Sequence, residues 1–367
     1  MQQIQLVERR DGFDYDYRMR CDCGRSSPLR ARAYADEINH AHMDCQHCGA
    51  DIHFGRAVIA IRDEKDPALG DEMVPQLAWY HTSTWPDWPS RGFAEHAIAQ
   101  SGDAAKRLRL GREHALEQAT ISALHLGTYE AAIENMLRRM HDQADHAAQF
   151  YLYRIRLRPD LRIEAGYRDE NLAEASRLTA PQLEAAGLDV VRYLNAYEAE
   201  GTLSLAVRPA AVAAVQEIAI PVIDLVEVAR MDDRLDLAIE LAEMQCAANS
   251  ASVRPEELTV HERKLITLGL RPGPDDVARL AEESHLALYA KWHDFEDELA
   301  RLYLRGVSPT VTRDINDALG TWRRTANDHD PAQFTTRYRQ MAALLTESEQ
   351  VIRLLAAQPW RDLPATA

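Results

Sequence analysis

Four of the chain's five cysteines lie close together near its start, in two compact pairs: Cys21-Asp22-Cys23-Gly24 and Cys45-Gln46-His47-Cys48-Gly49. Two pairs of thiolates at this spacing match the four ligands of a tetrahedral zinc ion. Each pair ends in Gly, which lets the backbone of a tight knuckle turn its amides towards sulfur. The expectation is a zinc held by Cys21, Cys23, Cys45 and Cys48. Four protein ligands close the coordination shell and leave no position for substrate, so the metal is structural. It would fold a small zinc-ribbon-like module, residues 1–70 with its linker, whose own core is too small to hold it together. The first pair has one residue between its cysteines instead of two, and His40, His42 or His47 could replace one thiolate. Cys246 stands alone in a helical pattern and reads as a small buried hydrophobe.

Grouped rather than scattered cysteines point to a reducing compartment. Met1-Gln2-Gln3-Ile4-Gln5 lacks the charged and apolar regions of a signal peptide, and no apolar run approaches membrane-spanning length. The expectation is a cytoplasmic protein with no membrane partner. A formal charge of −16 over 367 residues argues against coating nucleic acid by phosphate neutralisation alone. Arg18, Arg20, Arg25, Arg30 and Arg32 surround the cysteines and allow a local nucleic-acid contact, with a solvated face as the alternative.

The run Ile61-Arg62-Asp63-Glu64-Lys65-Asp66-Pro67-Ala68-Leu69-Gly70 reads as a linker. Beyond it, residues 71–221 alternate between strand and helix patterns. Strands are expected at 76–82, 122–127, 150–157, 203–207 and 217–220, and helices at 92–100, 104–119, 128–142 and 181–200. In the run 150–157, Tyr151, Tyr153, Ile155 and Leu157 share one face, with Arg154 and Arg156 on the other. Thr128 reads as an N-cap. Residues 222–367 read as helix, broken at Arg271-Pro272-Gly273-Pro274 and at Asn327-Asp328-His329-Asp330-Pro331, with a frayed tail Leu363-Pro364-Ala365-Thr366-Ala367. The fold class is α+β: an N-terminal zinc ribbon, a central mixed sheet domain and a C-terminal all-α region.

Ala78-Trp79-Tyr80-His81-Thr82-Ser83-Thr84-Trp85-Pro86 is an apolar run that delivers a histidine and three hydroxyl residues before a Trp-Pro stop. It reads as a buried strand with a polar, ligand-holding tip. Trp85 and Trp88 would wall a pocket or pack on the core, and Tyr151 and Tyr153 would pack the strand. Glu198 and Glu200, at the end of the helix expected over 181–200, read as solvated.

Tyr80-His81-Thr82-Ser83 resembles the first catalytic strand of the ADP-ribosyltransferase superfamily, whose usual form is Tyr-His-Gly-Thr. Leu124-His125-Leu126-Gly127-Thr128, followed by Glu130-Ala131-Ala132, is similar to that family's second motif. Gln216-Glu217-Ile218-Ala219-Ile220-Pro221 resembles its late strand bearing a glutamate. The order is that of the His-Tyr-Glu branch, and the resemblance spans about residues 74–221. It departs from the family at Thr82, which stands where Gly is usual, and at His125, where the branch often has Tyr; Tyr129 is the nearby alternative.

The resemblance implies a split-sheet fold, NAD as substrate, and transfer of ADP-ribose to an intracellular macromolecule, protein or nucleic acid. It gives catalytic roles to His81, His125 and Glu217, and cofactor contacts to Tyr80, His81, Thr82, Ser83 and Tyr129. Cleavage of the nicotinamide–ribose bond passes through an oxocarbenium-like centre, which a carboxylate such as Glu217 can stabilise. His81 would orient a ribose, and His125 or Tyr129 would stack on nicotinamide. Two alternatives stand beside this reading. One is RNA 2′-phosphate transfer to NAD on the same scaffold. The other is a non-catalytic interaction protein that uses the zinc ribbon and the helices as contact surfaces.

Overall fold

The structure is a computed structural model that describes residues 5–35, 41–89, 122–142, 145, 148–170, 175–222, 225, 240–241, 243–244, 259–268, 274–326 and 330–364. The helices expected at 92–100 and 104–119, and Cys246, lie outside these residues.

Near the N-terminus, two short hairpins carry the cysteines. Strands β1 (Tyr17–Arg20) and β2 (Ser26–Leu29) pair antiparallel, and β3 (His42–Asp44) and β4 (Asp51–His53) do the same. Helix α1 (Ala31–Ala35) lies between them.

The centre is two four-stranded sheets. One contains β5 (Trp79–Ser83), β7 (Phe150–Leu157), β11 (Val212–Ile220) and β12 (Arg361–Asp362), in the order β12-β11-β7-β5. The other contains β6 (Leu124–Leu126), β8 (Arg168–Asp169), β9 (Val190–Leu194) and β10 (Leu203–Val207), in the order β6-β10-β9-β8. All named pairs are antiparallel except β8 with β9. The sheets meet where Tyr80 and Gly127 exchange both backbone hydrogen bonds, at 2.9 and 3.0 Å. That junction sets the tip of β5 beside the end of β6.

Helix α2 (Tyr129–Asp142) starts directly after β6. Thr128 caps it, with Ala131 N–H donating to Thr128 Oγ1 at 3.2 Å. The helix lies under β5, to which it is tied by Thr82 Oγ1 donating to the Ala132 carbonyl at 3.0 Å.

The strands expected at 150–157 and 203–207 form with those limits. The expected helix 181–200 does not. Helix α3 (Ala180–Ala185) is short, and the chain then enters β9. Val190, Val191 and Tyr193 are β-branched or aromatic and favour a strand; burial on both faces of β9 decides between the two states. Arg154, expected on a polar face, is buried, because the N-terminal segment covers that side of the sheet. Glu8 receives Arg154 Nη2 at 2.7 Å and the Tyr80 hydroxyl at 2.6 Å, so the buried charge is paired as burial requires.

The C-terminal region is helical: α4 (Val260–Thr267), α5 (Pro274–Tyr303), α6 (Pro309–Ala326), α7 (Pro331–Thr346) and α8 (Ser348–Ala356). Pro274 and Pro331 open helices as their breaks imply, and Asp330 Oδ1 caps α7 by accepting Ala332 N–H at 2.9 Å. The tail is not frayed at Leu363. β12 pairs with β11 and Leu363 N–H donates to the Ala213 carbonyl at 2.9 Å, so an unpaired sheet edge is covered.

One apolar core runs through all three segments. It takes Tyr17, Tyr34 and Phe54 from the cysteine module, Trp79, Tyr153 and Val215 from the sheets, and Phe295, Phe334 and Leu344 from the helices. Among the described residues no helix is long and apolar enough to cross a membrane.

Candidate functional site

The four cysteines converge. Cys21 and Cys48 Sγ are 3.7 Å apart, and Cys23 and Cys45 Sγ 3.8 Å. All four lie within 4.8 Å of one another. A disulfide needs about 2.05 Å. A tetrahedron with metal–sulfur bonds of about 2.3 Å puts its sulfurs roughly 3.8 Å apart, so the group can hold a metal ion of that kind. The knuckles close as their glycines imply: Gly24 N–H donates to the Cys21 carbonyl and Gly49 N–H to the Cys45 carbonyl, each at 2.9 Å. Backbone amides of His47 and Cys48 pull the Cys45 thiol down, while Cys21 and Cys48 in the same cluster are raised, so the thiols share protons as a group. His42 is engaged with Asp51 at 2.8 Å, and His47 Nε2 donates to the Ser26 carbonyl at 3.1 Å. His40 lies outside the described residues. Three of the surrounding arginines are paired within the chain, Arg18 with Glu64, Arg20 with Asp169 and Arg30 with Asp16, which reduces the charge free for phosphate.

The second site forms where the two sheets meet. A cavity of about 70 Å³ is lined by His81, Thr82, His125, Tyr193, Asn195 and Glu198, among others. His81 Nδ1 is 2.9 Å from the His125 carbonyl. A carbonyl only accepts, so Nδ1 carries the proton and Nε2 of the neutral ring is an acceptor. Burial, aided by the Arg139 charge, pushes His81 down to about 3. Burial pushes His125 down to about 4. Both imidazoles are therefore neutral at physiological pH. The Trp88 ring stacks on His81 at 4.2 Å but belongs to the core and does not line the cavity. Tyr193 holds His125 through its hydroxyl, 3.2 Å from Nδ1.

Glu198, which the sequence alone reads as solvated, is buried. It sits on the turn between β9 and β10, and its Oε1 accepts from Asn135 Nδ2 at 2.9 Å and Arg138 Nε at 2.7 Å. The turn is bolted at both ends. Ala196 N–H donates to Glu170 at 2.8 Å and Ala199 N–H to Glu134 at 2.6 Å. Asn195 Nδ2 bridges Thr202 Oγ1 and Ser204 Oγ at 2.9 and 2.8 Å. Ala199 has φ of 42°, in the left-handed region, a conformation that a non-glycine residue keeps only when its surroundings impose it. Glu200, two residues on, is also buried but points into a different cavity.

The other expected contacts fall as follows. Glu217 does not line the His81 cavity. It faces Tyr153 across β11 and β7, and Tyr153 in turn faces His81 on β5. That leaves Glu217 two strands, or about 10 Å, from His81, with Arg361 at 3.8 Å; burial raises its carboxyl. Tyr129 is consumed in the core, its hydroxyl donating to the Leu344 carbonyl at 2.7 Å. Ser83 Oγ accepts Trp85 N–H at 3.1 Å and shapes the turn after β5. Tyr80 borders the cavity with its hydroxyl on Glu8. Thr82 borders it too and spends its hydroxyl on α2.

Glu198 was missed because residues 181–200 read as helix. The available signal was a hairpin: apolar runs 190–194 and 203–207 flank the polar, Gly-containing stretch Asn195-Ala196-Tyr197-Glu198-Ala199-Glu200-Gly201. Compared with protein-family models, curated proteins and solved structures, the chain matches none.

Proposed function

We propose that the chain is an NAD-dependent ADP-ribosyltransferase that acts on a macromolecular acceptor, protein or nucleic acid, with Glu198 rather than Glu217 as its working carboxylate. The observation that carries this reading is the convergence of His81, His125 and Glu198 on one cavity at the junction of the two sheets. Two sheets meeting at the tip of the His81 strand also agree with the split-sheet arrangement that the resemblance implies.

In the reaction the bond between nicotinamide and ribose C1 breaks. Its electron pair leaves with nicotinamide, and positive charge develops on the ribose until an acceptor nucleophile bonds to C1. Glu198, fixed by Asn135 and Arg138, would hydrogen-bond a ribose hydroxyl and stabilise that charge without reorganising. His81, with Nδ1 fixed by the His125 carbonyl, would accept a ribose hydroxyl at Nε2. The His125 ring would pack against the nicotinamide end. A cavity of about 70 Å³ is well below the roughly 300–1,000 Å³ that encloses a drug-sized ligand. Only one end of the dinucleotide would enter it.

The cysteine site is proposed to hold zinc as a structural ion, apart from this chemistry. Incubation with NAD labelled in its ADP-ribose half, in the presence of cell protein, RNA and DNA, tests the function. Label in one macromolecular fraction, lost with Glu198→Gln and kept with Glu217→Gln, is the expected outcome. No label in any fraction, together with no NAD binding, would reject it in favour of an interaction protein.

A further inference from the structure

A second cavity, larger than the one at His81, opens among the described residues. It has a volume of about 420 Å³ and lies on the other side of the Glu198–Glu200 turn, where the cysteine module, α2 and α6 meet. That size is in the range of small-ligand sites. Its walls are aromatic: Tyr15, Tyr17, Tyr34 and Tyr197. Tyr17 and Tyr34 are stacked with centroids 4.0 Å apart.

The ionisable lining is Glu134, Glu200 and Asp314 with Arg56 and Arg313. Arg313 is turned to the Ala35 carbonyl at 3.0 Å. Glu200 is buried and meets the Tyr34 hydroxyl at 3.4 Å, Arg56 Nε at 3.6 Å and the Tyr17 hydroxyl. A carboxylate offers about four acceptor positions, and buried ones are normally filled. Burial lifts the Glu200 carboxyl to about 7 and raises Glu134 well above the carboxylate range, and a cation seated beside Glu200 would draw it to its ionised form.

Two tyrosines of this cavity already carry a guanidinium on one face. Arg62 lies 3.9 Å from the Tyr15 ring centroid, and Arg56 lies 4.7 Å from that of Tyr197. Both distances are within cation–π range. Tyrosine faces beside carboxyls that a cation would ionise suit a flat cationic ligand.

We propose that this cavity is a binding site for a guanidinium group, carried by a free small molecule or by an arginine side chain, seated against the tyrosine faces and paired with Glu200 and Asp314. The planar guanidinium fits such a site because it stacks and donates in a fork that matches a carboxylate. This inference does not depend on the NAD reading, since it uses a different cavity.

Calorimetric titration of the full chain with agmatine tests it, beside the analogue in which a neutral urea replaces the guanidinium and the ammonium is kept, and beside inorganic phosphate. Saturable agmatine binding is expected, weakened about tenfold or more by Glu200→Gln and by Asp314→Asn. The urea analogue and phosphate should bind far more weakly. Glu200→Gln is near-isosteric and Asp314 is exposed; a circular dichroism melt of each variant separates lost binding from lost fold. A blocked arginine amide run in parallel distinguishes the source: tighter agmatine binding assigns a free ligand, tighter amide binding a protein side chain. No saturable binding of either cation, equal binding of the urea analogue, or affinity unchanged in both folded variants would overturn the proposal.

Discussion

Glu198 and Glu200 are two residues apart and serve two cavities, because Ala199 between them adopts a left-handed backbone. Their environments differ in a way that pH can expose. Burial lifts Glu200 from its ordinary 4.5 to about 7. Between those values the folded chain holds a proton that the unfolded chain has released, so Glu200 destabilises the fold increasingly as pH rises through this window. Glu200→Gln removes the effect. Urea denaturation should show the variant gaining on the wild type between pH 4.5 and above 7, by on the order of 3 kcal/mol. A pH-independent difference would contradict the burial of that carboxyl. His81 and His125 act with the opposite sign. Their folded values of about 3 and about 4 lie below the ordinary 6.5. Their contribution is therefore complete above pH 6.5 and is lost as pH falls towards those values. Imidazole resonances of both should show no inflection near pH 6.5 in an NMR titration.

The element that matters most is the hairpin of β9 and β10. Its turn is packed against the linker, where Arg62 N–H donates to the Gly201 carbonyl at 2.9 Å. Gly201 has φ of 86°, and a Cβ there would stand 2.6 Å from Arg62 Cγ and 2.9 Å from the Ala60 carbonyl oxygen. Gly201→Ala is expected to destabilise the chain by about 2–3 kcal/mol through strain and overpacking, measured by thermal or urea unfolding. An effect within about 0.5 kcal/mol would mean the turn is not clamped. This hairpin is also where sequence reading and structure part. β7 and β10 were legible because their apolar residues run uninterrupted or alternate between turn signals. Helix α2 was legible from Thr128 and its periodic apolar face. The segment 181–200 was not, because Ala185, Ala186, Ala196 and Ala199 carry strong helix propensity, whereas its state is set by pairing with β10. His81 and His125 stand out through the resemblance of their segments, and both lie within β5 and β6 rather than at strand ends. Glu198 could not be preferred over Glu217 until the order of strands was known, since distance across a sheet depends on which strands are neighbours.

At the scale of the whole molecule, the cysteine module is a structural partner of the rest. Tyr17 donates to or accepts from Thr310 Oγ1 at 2.8 Å, Arg20 pairs with Asp169, and Tyr34 reaches Glu200. A metal at the four cysteines therefore stabilises more than its own hairpins. One zinc per chain is expected by elemental analysis. Its removal by chelation, or Cys45→Ser, should lower the melting temperature of the entire chain, because binding energy at such a site is folding energy. A melt unchanged by chelation would show that the thiols do not hold a stabilising ion. The sequence made this module legible, since cysteine spacing reports local geometry; the continuity of its core with the C-terminal helices is long-range and left no local pattern. The same long-range packing aligns α2, β5 and the Glu198 turn around one small cavity, on which the functional reading rests. The most direct measurement is nicotinamide released from NAD by the purified chain and by two variants. The account predicts release by the wild type, a loss of about 100-fold or more with Glu198→Gln, and near-wild-type release with Glu217→Gln. Absence of release from the wild type, or equal release by the wild type and Glu198→Gln, would contradict it.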